Sequence, residues 1–122
     1  WAGADILLMP PRLKPRTEEL RLALRYGTIP ITYGIGGLDS NLIRKFDPRT
    51  GEGSGFLFAP YTPTELQRTL KLALDTYDRV SAWEQLVANA LSLDLSWATT
   101  ARKYVDYYDK ALTERQKAAV AP

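Results

Sequence analysis

The residue types available for chemistry set the first limit on what this chain can do. It has 122 residues, with no Cys and no His. Their absence excludes disulfides, thiolate nucleophiles, a Ser-His-Asp triad and zinc sites of the usual ligand types. Any chemistry must therefore come from carboxylates, Lys, Arg, Tyr, hydroxyl groups or backbone amides, and we expect neither a metal nor a cofactor.

Two segments place polar or backbone groups directly after short apolar runs. The first follows Ile6–Met9 and carries three cations, Arg12, Lys14 and Arg16. This pattern is typical of either a phosphate-binding patch or a solvated basic loop. The second follows Ile29–Thr32 and contains Gly36 and Gly37. These glycines indicate either a turn that needs positive φ or a backbone that approaches a ligand closely.

Alternating elements must position these two loops. The apolar runs predict strands at Asp5–Met9, Ile29–Thr32 and Gly55–Phe58, with Pro30 at an entry or edge position. The helical periodicity predicts helices at Thr17–Tyr26, Pro63–Tyr77, Ala82–Ser92 and Trp97–Leu112. This order predicts an α/β fold with a partial Rossmann-like parallel sheet that ends in several helices. We assign residues 1–112 to one half-domain, with earlier βα units upstream, and residues 113–122 to a fraying polar tail.

Helix-start signals and one apolar face refine this prediction. Capping boxes begin at Thr62, where Pro63 is the first helical residue, and at Ser81. The last helix carries an apolar face, which we expect to pack in the core and which is alternatively a sugar-stacking strip. That face consists of Trp97, Ala101, Tyr104, Val105, Tyr108 and Leu112. Trp83 is expected in the core, and Tyr107 lies off this face.

Charge and hydropathy exclude other classes of partner. Sixteen basic and fourteen acidic residues are interspersed and leave a net charge of +2. Such mixed charges produce no strong positive potential that would attract a polyanion, so we expect no nucleic-acid partner. The chain has no apolar run of about 18 residues and no secretory leader, so we expect no membrane association. The lack of Cys is compatible with the cytoplasm, or with a plastid for a plant protein. We expect that a chain that starts at Trp1 is a fragment or a processed chain.

Several strings together resemble the C-terminal domain of glycogen and starch synthases. The most specific is Ala-Leu-Arg-Tyr-Gly-Thr at residues 23–28. The resemblance extends from Ala2 to about Leu112. The other matching strings are Ala2–Asp5 with Met9-Pro10, Gly36-Gly37-Leu38, Gly55–Phe58, Asp94-Leu95-Ser96-Trp97 and Tyr104–Tyr108.

The resemblance implies a retaining glycosyltransferase with two Rossmann-like domains that face a cleft and need no metal. Such an enzyme transfers glucose from ADP-glucose or UDP-glucose to an α-1,4-glucan. This chain would be the second half of the donor-binding domain, and its partners would include the rest of the synthase or a second copy. The implied donor-binding residues are Arg12, Lys14, Arg16, Thr17, Gly36, Gly37 and Leu38.

The loop after the first strand departs from the family pattern. Lys14 occupies the position of the family's glutamate, Thr17 that of a glycine and Glu18 that of a leucine. A carboxylate accepts hydrogen bonds from sugar hydroxyls and stabilises positive charge at the anomeric carbon, whereas Lys has donors and no acceptor. We therefore assign no catalytic residue; Asp39 and Glu18 are the candidates to replace the lost carboxylate.

Three hypotheses about function follow. The chain is a fragment of a glycogen/starch synthase-like glucosyltransferase and is inactive alone. Alternatively, it is a degenerate, non-catalytic synthase-like domain that binds glucan or an active synthase, as the altered loop favours. A third hypothesis is an interaction module that uses an exposed edge of the sheet. The upstream sequence would discriminate among them, because a working enzyme needs its phosphate-binding loop and basic pair there.

Overall fold

The computed structural model describes residues 2–13, 17–34 and 42–120, the last four as backbone only. Alternating strands and helices occupy this part of the chain, as predicted. The elements are β1 (Ile6–Met9), α1 (Thr17–Arg25), β2 (Ile29–Tyr33), β3 (Phe56–Phe58), α2 (Pro63–Tyr77), α3 (Val80–Leu91) and α4 (Trp97–Val120).

The three strands form one parallel sheet in the order β1-β2-β3, which confirms the predicted fold class. Ile6 pairs with Ile29, and Ile31 pairs with Phe56. Pro30 is the second residue of the central strand, so it is an entry position but not an edge position. Its lack of an N–H removes no hydrogen bond between β2 and β3, because β3 begins to pair only at Ile31, one residue later.

The core lies between the sheet and the helices that pack on it. The predicted face of α1 is buried, with Leu20, Ala23 and Leu24 fully covered. Leu20 and Leu24 belong to one apolar cluster with Ile29 and Ile31 of β2, Phe56 of β3 and Leu86 of α3. Each buried Leu, Ile or Phe contributes about 1.5–3 kcal/mol to folding. Trp83 is partly buried and packs against the same cluster, as expected.

Local contacts determine where the helices end, and of the two predicted caps one is confirmed and one is wrong. Gly27 stops α1 with φ +73°, the left-handed conformation that glycine adopts without strain. Thr62 caps α2, since its Oγ1 accepts from the Glu65 N–H at 3.3 Å. The predicted cap at Ser81 is wrong. Helix α3 begins one residue earlier, at Val80, and the residue that precedes it, Arg79, makes no side-chain cap.

The last helix differs most from the prediction. Its apolar face does not enter the core: Trp97 is 83% exposed, and Tyr104, Val105, Tyr108 and Leu112 are also exposed. The expected core packing is therefore wrong for this chain, because no described element lies over that face. The helix also continues past Leu112 to Val120. We call the five exposed residues the apolar strip of α4.

None of the helices in the described ranges is both long enough and apolar enough to cross a bilayer.

Candidate functional site

The strands of a parallel sheet all end at one edge, and ligands of open α/β folds bind in the crevice outside this edge. Arg12 lies in the loop after β1, and Thr17 is the first residue of α1. Both follow the carboxyl end of β1, as predicted. The other residues predicted to bind the donor lie outside the described residues. They are Lys14, Arg16, Gly36, Gly37 and Leu38.

Aromatic side chains from two strand ends meet in this region. The ring of Tyr61, three residues after β3, packs edge-on against Tyr33 of β2, with 4.9 Å between centroids. The same ring lies 5.7 Å from that of Phe58, the last residue of β3. Tyr33 and Phe58 are themselves in contact at 5.5 Å. The ends of β2 and β3 are thus joined by one aromatic cluster.

The loop after β1 is attached to this cluster through Tyr61. The Tyr61 hydroxyl donates to the Pro10 carbonyl at 2.9 Å. The guanidinium carbon of Arg12 lies 5.6 Å from the centroid of the Tyr61 ring, a cation–π distance. All three strand ends therefore meet. We call Pro10, Arg12, Tyr33, Phe58 and Tyr61 the carboxyl-edge cluster.

The sequence prediction of this site omitted Tyr33, Phe58 and Tyr61. A signal was nevertheless present, since Tyr61 follows β3 closely, as Arg12 follows β1. Residues that follow neighbouring parallel strands converge at one edge, so their loops can meet despite a distance of 51 residues between Pro10 and Tyr61.

The amino end of α1 carries negative side chains near this edge. Glu18 and Glu19 lie in the first turn of the helix, and Glu18 is exposed. Acidic residues there stabilise the helix through its dipole, but they also oppose an anionic ligand. Arg12 supplies the opposite charge on the preceding loop. Among the described residues, no group of three or more Asp or Glu is placed to hold a metal ion.

One cavity of about 480 Å³, lined by described residues, lies at the opposite edge of the sheet. Its lining includes Ser54 and Asn89, which are already used by the fold. Asn89 Nδ2 donates to the carbonyls of Gly51 and Gly53 at 2.7 and 2.9 Å. Ser54 Oγ accepts from the Arg44 N–H at 3.2 Å. These groups hold the loop before β3 on α3, so we assign the cavity a structural role.

The Asp94-Leu95-Ser96-Trp97 string forms the start of α4. Asp94 accepts from the hydroxyl of Thr99 and from the Ser96 N–H, while Ser96 Oγ accepts from the Thr99 N–H. Hydrogen bonds from the Thr99 hydroxyl, and then from Ser96, lower the pKa of Asp94 to about 2. The acidic and hydroxyl residues of this string therefore cap a helix, and they do not form a reactive site.

Known proteins with similar sequences are glycogen synthases. No family model matches the chain. The glycogen synthase of Koribacter versatilis (strain Ellin345) is 41% identical over 110 residues, which are 90% of this chain and 22% of that protein. The glycogen synthase of Thermotoga maritima is 41% identical over 115 residues, 93% of this chain and 24% of that protein.

A solved structure agrees with these relatives. The chain is similar to the catalytic domain of starch synthase IV from Arabidopsis thaliana bound to ADP and acarbose, with a TM-score of 0.73 and 28% sequence identity. The match covers 89% of this chain and 23% of that one. The chain thus spans about a quarter of the length of the proteins it matches. Over nearly all of its length, the chain is homologous to a segment of the glycogen and starch synthases.

Proposed function

We propose that the chain is part of a glucosyltransferase that transfers glucose from a nucleotide-sugar, ADP-glucose or UDP-glucose, to an α-1,4-glucan. Its role in that enzyme is to form part of the donor site at the carboxyl edge of the sheet. The observation that carries the proposal is the likeness to a starch synthase domain solved with ADP and acarbose. We place this activity in the cytoplasm.

The donor residues of this proposal are Arg12, Lys14, Arg16 and Thr17 after β1, with Gly36, Gly37 and Leu38 after β2. Arg12 supports the first group, because it lies at the strand ends and has no carboxylate partner among the described residues. A guanidinium in that place is suited to bind a diphosphate through paired N–H groups. Residues 1–112 form the half-domain in this proposal, and residues 113–122 extend beyond it.

The segment by itself does not catalyse transfer. Orientation of both substrates in a closed cleft is worth about 7–11 kcal/mol of the barrier, and one wall of a cleft cannot supply it. The rest of the synthase, or a second copy of this chain, is needed to face the carboxyl edge.

A second candidate function is a non-catalytic synthase-like domain that binds glucan or an active synthase. The loop composition favours it. Lys14 stands where the family has a glutamate, so a positive charge lies where the transition state develops positive charge. Thr17 and Glu18 replace the family's glycine and leucine beside the start of α1, where a carboxylate opposes the diphosphate.

A chimera separates the two functions. The matched segment of the Thermotoga maritima glycogen synthase is replaced by this chain, and the relative's own sequence serves as the positive control. Glucose transfer from ADP-glucose or UDP-glucose by the chimera would support the first function. Severely impaired transfer, which the altered loop predicts, would support the second. Exchange of Lys14→Glu, Thr17→Gly and Glu18→Leu together should raise the affinity for ADP and for the nucleotide-sugar, measured by calorimetry.

Robust transfer by the unaltered chimera would show that our assignment of the altered loop is wrong and that another group, such as Asp39 or a substrate hydroxyl, replaces the lost carboxylate. Failure of the triple exchange to raise donor affinity, in a chimera that still unfolds cooperatively, would contradict the donor-site role of this loop.

A further inference from the structure

The carboxyl-edge cluster contains one residue, Tyr61, that has no role assigned so far. It belongs neither to the strings that resemble the synthases nor to the loop that departs from them. Tyr61 is 37% exposed, yet it makes four specific contacts. Its ring packs on Tyr33 and Phe58, its hydroxyl binds the Pro10 carbonyl, and its face carries the guanidinium of Arg12. Core packing alone needs only the ring contacts.

The contacts divide into two groups with different effects. Those with Tyr33 and Phe58 fix the orientation of the ring relative to the ends of β2 and β3. The hydrogen bond to Pro10 fixes the backbone two residues before Arg12. The ring and the loop are therefore held together, so the cation is presented at a defined place on the sheet edge.

The cation–π contact also leaves the hydrogen-bonding groups of Arg12 available. The guanidinium carbon lies 5.6 Å from the ring centroid, and a contact between a cation and a ring uses none of the N–H groups in a hydrogen bond. Those N–H groups are the ones that bind two phosphate oxygens at once. A free arginine on an exposed loop would have to give up many rotamers to reach the same arrangement.

We infer that Tyr61 is a positioning residue, which orders Arg12 for an anionic diphosphate at the carboxyl edge of the sheet. The inference rests on the proposed donor-binding function. Tyr61 acts through Arg12 and does not itself need to touch the ligand. Its hydroxyl holds the loop, and its ring holds the cation.

A matched control exists in Tyr77. It is 43% exposed, and its hydroxyl binds Asp5, the residue before β1, at 3.5 Å. Its ring packs edge-on against Trp83. Tyr61 and Tyr77 thus hold opposite ends of β1 through similar contacts, and of these two tyrosines only Tyr61 carries a cation on its face.

The first measurement observes Arg12, without ligand, in the 122-residue chain that carries Tyr108→Lys in the apolar strip of α4 to reduce self-association. We expect the NMR signals of the Arg12 side chain to be shifted upfield by the ring current of Tyr61. The shift should survive Tyr61→Phe and Tyr77→Leu, and it should vanish in Tyr61→Leu. An Arg12 signal that is unchanged by Tyr61→Leu would overturn the inference, because the cation would then not lie on the ring.

The second measurement is a double-mutant cycle with ADP as the probe, followed by NMR titration of the same chain. Tyr61→Leu should weaken ADP binding about two- to fivefold, the size of an exposed cation–π contact. In a chain that already carries Arg12→Ala, Tyr61→Leu should cause no further loss of ADP affinity. Tyr77→Leu should cause no loss of ADP affinity, with or without Arg12→Ala.

The outcomes separate the inference from the function it rests on. Equal losses with and without Arg12 would show that Tyr61 has no effect through the cation, while ADP binding itself and the proposed function would stand. A chain that shows the ring-current shift but gives no response to ADP would contradict the donor site, and the positioning role would be rejected with it.

Discussion

Single residues decide how the loop before β3 closes. Gly51 and Gly53 both have positive φ, +72° and +108°, and Asn89 binds the carbonyl of each. Their surroundings differ. A Cβ on Gly53 would lie 2.5 Å from the Lys45 carbonyl oxygen and from the Phe46 Cα, whereas one on Gly51 would meet only Gln85 at 3.5 Å.

This difference predicts unequal costs for the same substitution. Gly53→Ala should lower the free energy of unfolding by about 2–4 kcal/mol, because backbone strain and a backbone collision add. Gly51→Ala should cost about 1–2 kcal/mol from its conformation alone. Urea unfolding of both variants beside the parent chain checks the pair. Equal losses would show that the contact of Gly53 with the 45–46 segment does not constrain the loop.

At the scale of elements, helix ends are controlled by short polar contacts. Thr62 caps α2, and Glu65 in its first turn also pairs with Arg68 at 2.9 Å. Asp94 and Ser96 cap α4, whose apolar strip gives it no tertiary support within the described chain. The start of α4 therefore depends on its cap more than that of a buried helix does.

The cap of α4 should respond to acid. The pKa of Asp94 is lowered from 3.8 to about 2 in the folded chain, so its ionised form stabilises the cap. That contribution is complete above about pH 4, and it is lost as the pH falls through about 2. NMR titration of the Asp94 carboxyl carbon should give a midpoint near 2. A midpoint near 3.8 would contradict the capping contacts.

A substitution tests the same cap at neutral pH. Asp94→Ala should speed amide exchange in the first turn of α4, from Trp97 to Thr100, because the bonds to Ser96 and Thr99 are removed. Asp106→Ala, which lies within α4 and is also exposed, is the control and should not speed exchange in that turn.

At the scale of the whole molecule, two kinds of surface are left open in the described chain. Strands β1 and β3 each pair with β2 on one side only, and the apolar strip of α4 faces solvent. The relatives are about four times longer than this segment, so the rest of such a protein is the natural cover for both. An exposed strand edge and an apolar strip also favour self-association.

We therefore expect the isolated chain to dimerise or aggregate at low micromolar concentration, as measured by sedimentation. Tyr108→Lys, within the apolar strip, should reduce association. Tyr107→Lys, off the strip and also exposed, is the matched control and should leave it unchanged. A parent chain that sediments as a monomer at these concentrations would contradict this expectation.

Local signals in the sequence sufficed for most of the elements. Apolar runs, the positive-φ Gly27 and the Thr62 cap each act within a few residues, so strands and helices were predicted close to their observed positions. The family could be inferred from strings such as residues 23–28, since a string of specific residues does not depend on packing. The predicted cap at Ser81 failed because the chain already turns into α3 at Val80.

Tertiary structure decided which residues that are far apart in the sequence come into contact. Helical spacing shows that Trp97, Tyr104 and Tyr108 share a face, but whether this face is buried depends on the element opposite it, and none of the described elements is there. The meeting of Arg12 with Tyr61 depends on parallel strands that end together. Periodicity reports the direction of a side chain from its own helix or strand, whereas a site requires the positions of several elements at once, which only the folded sheet supplies.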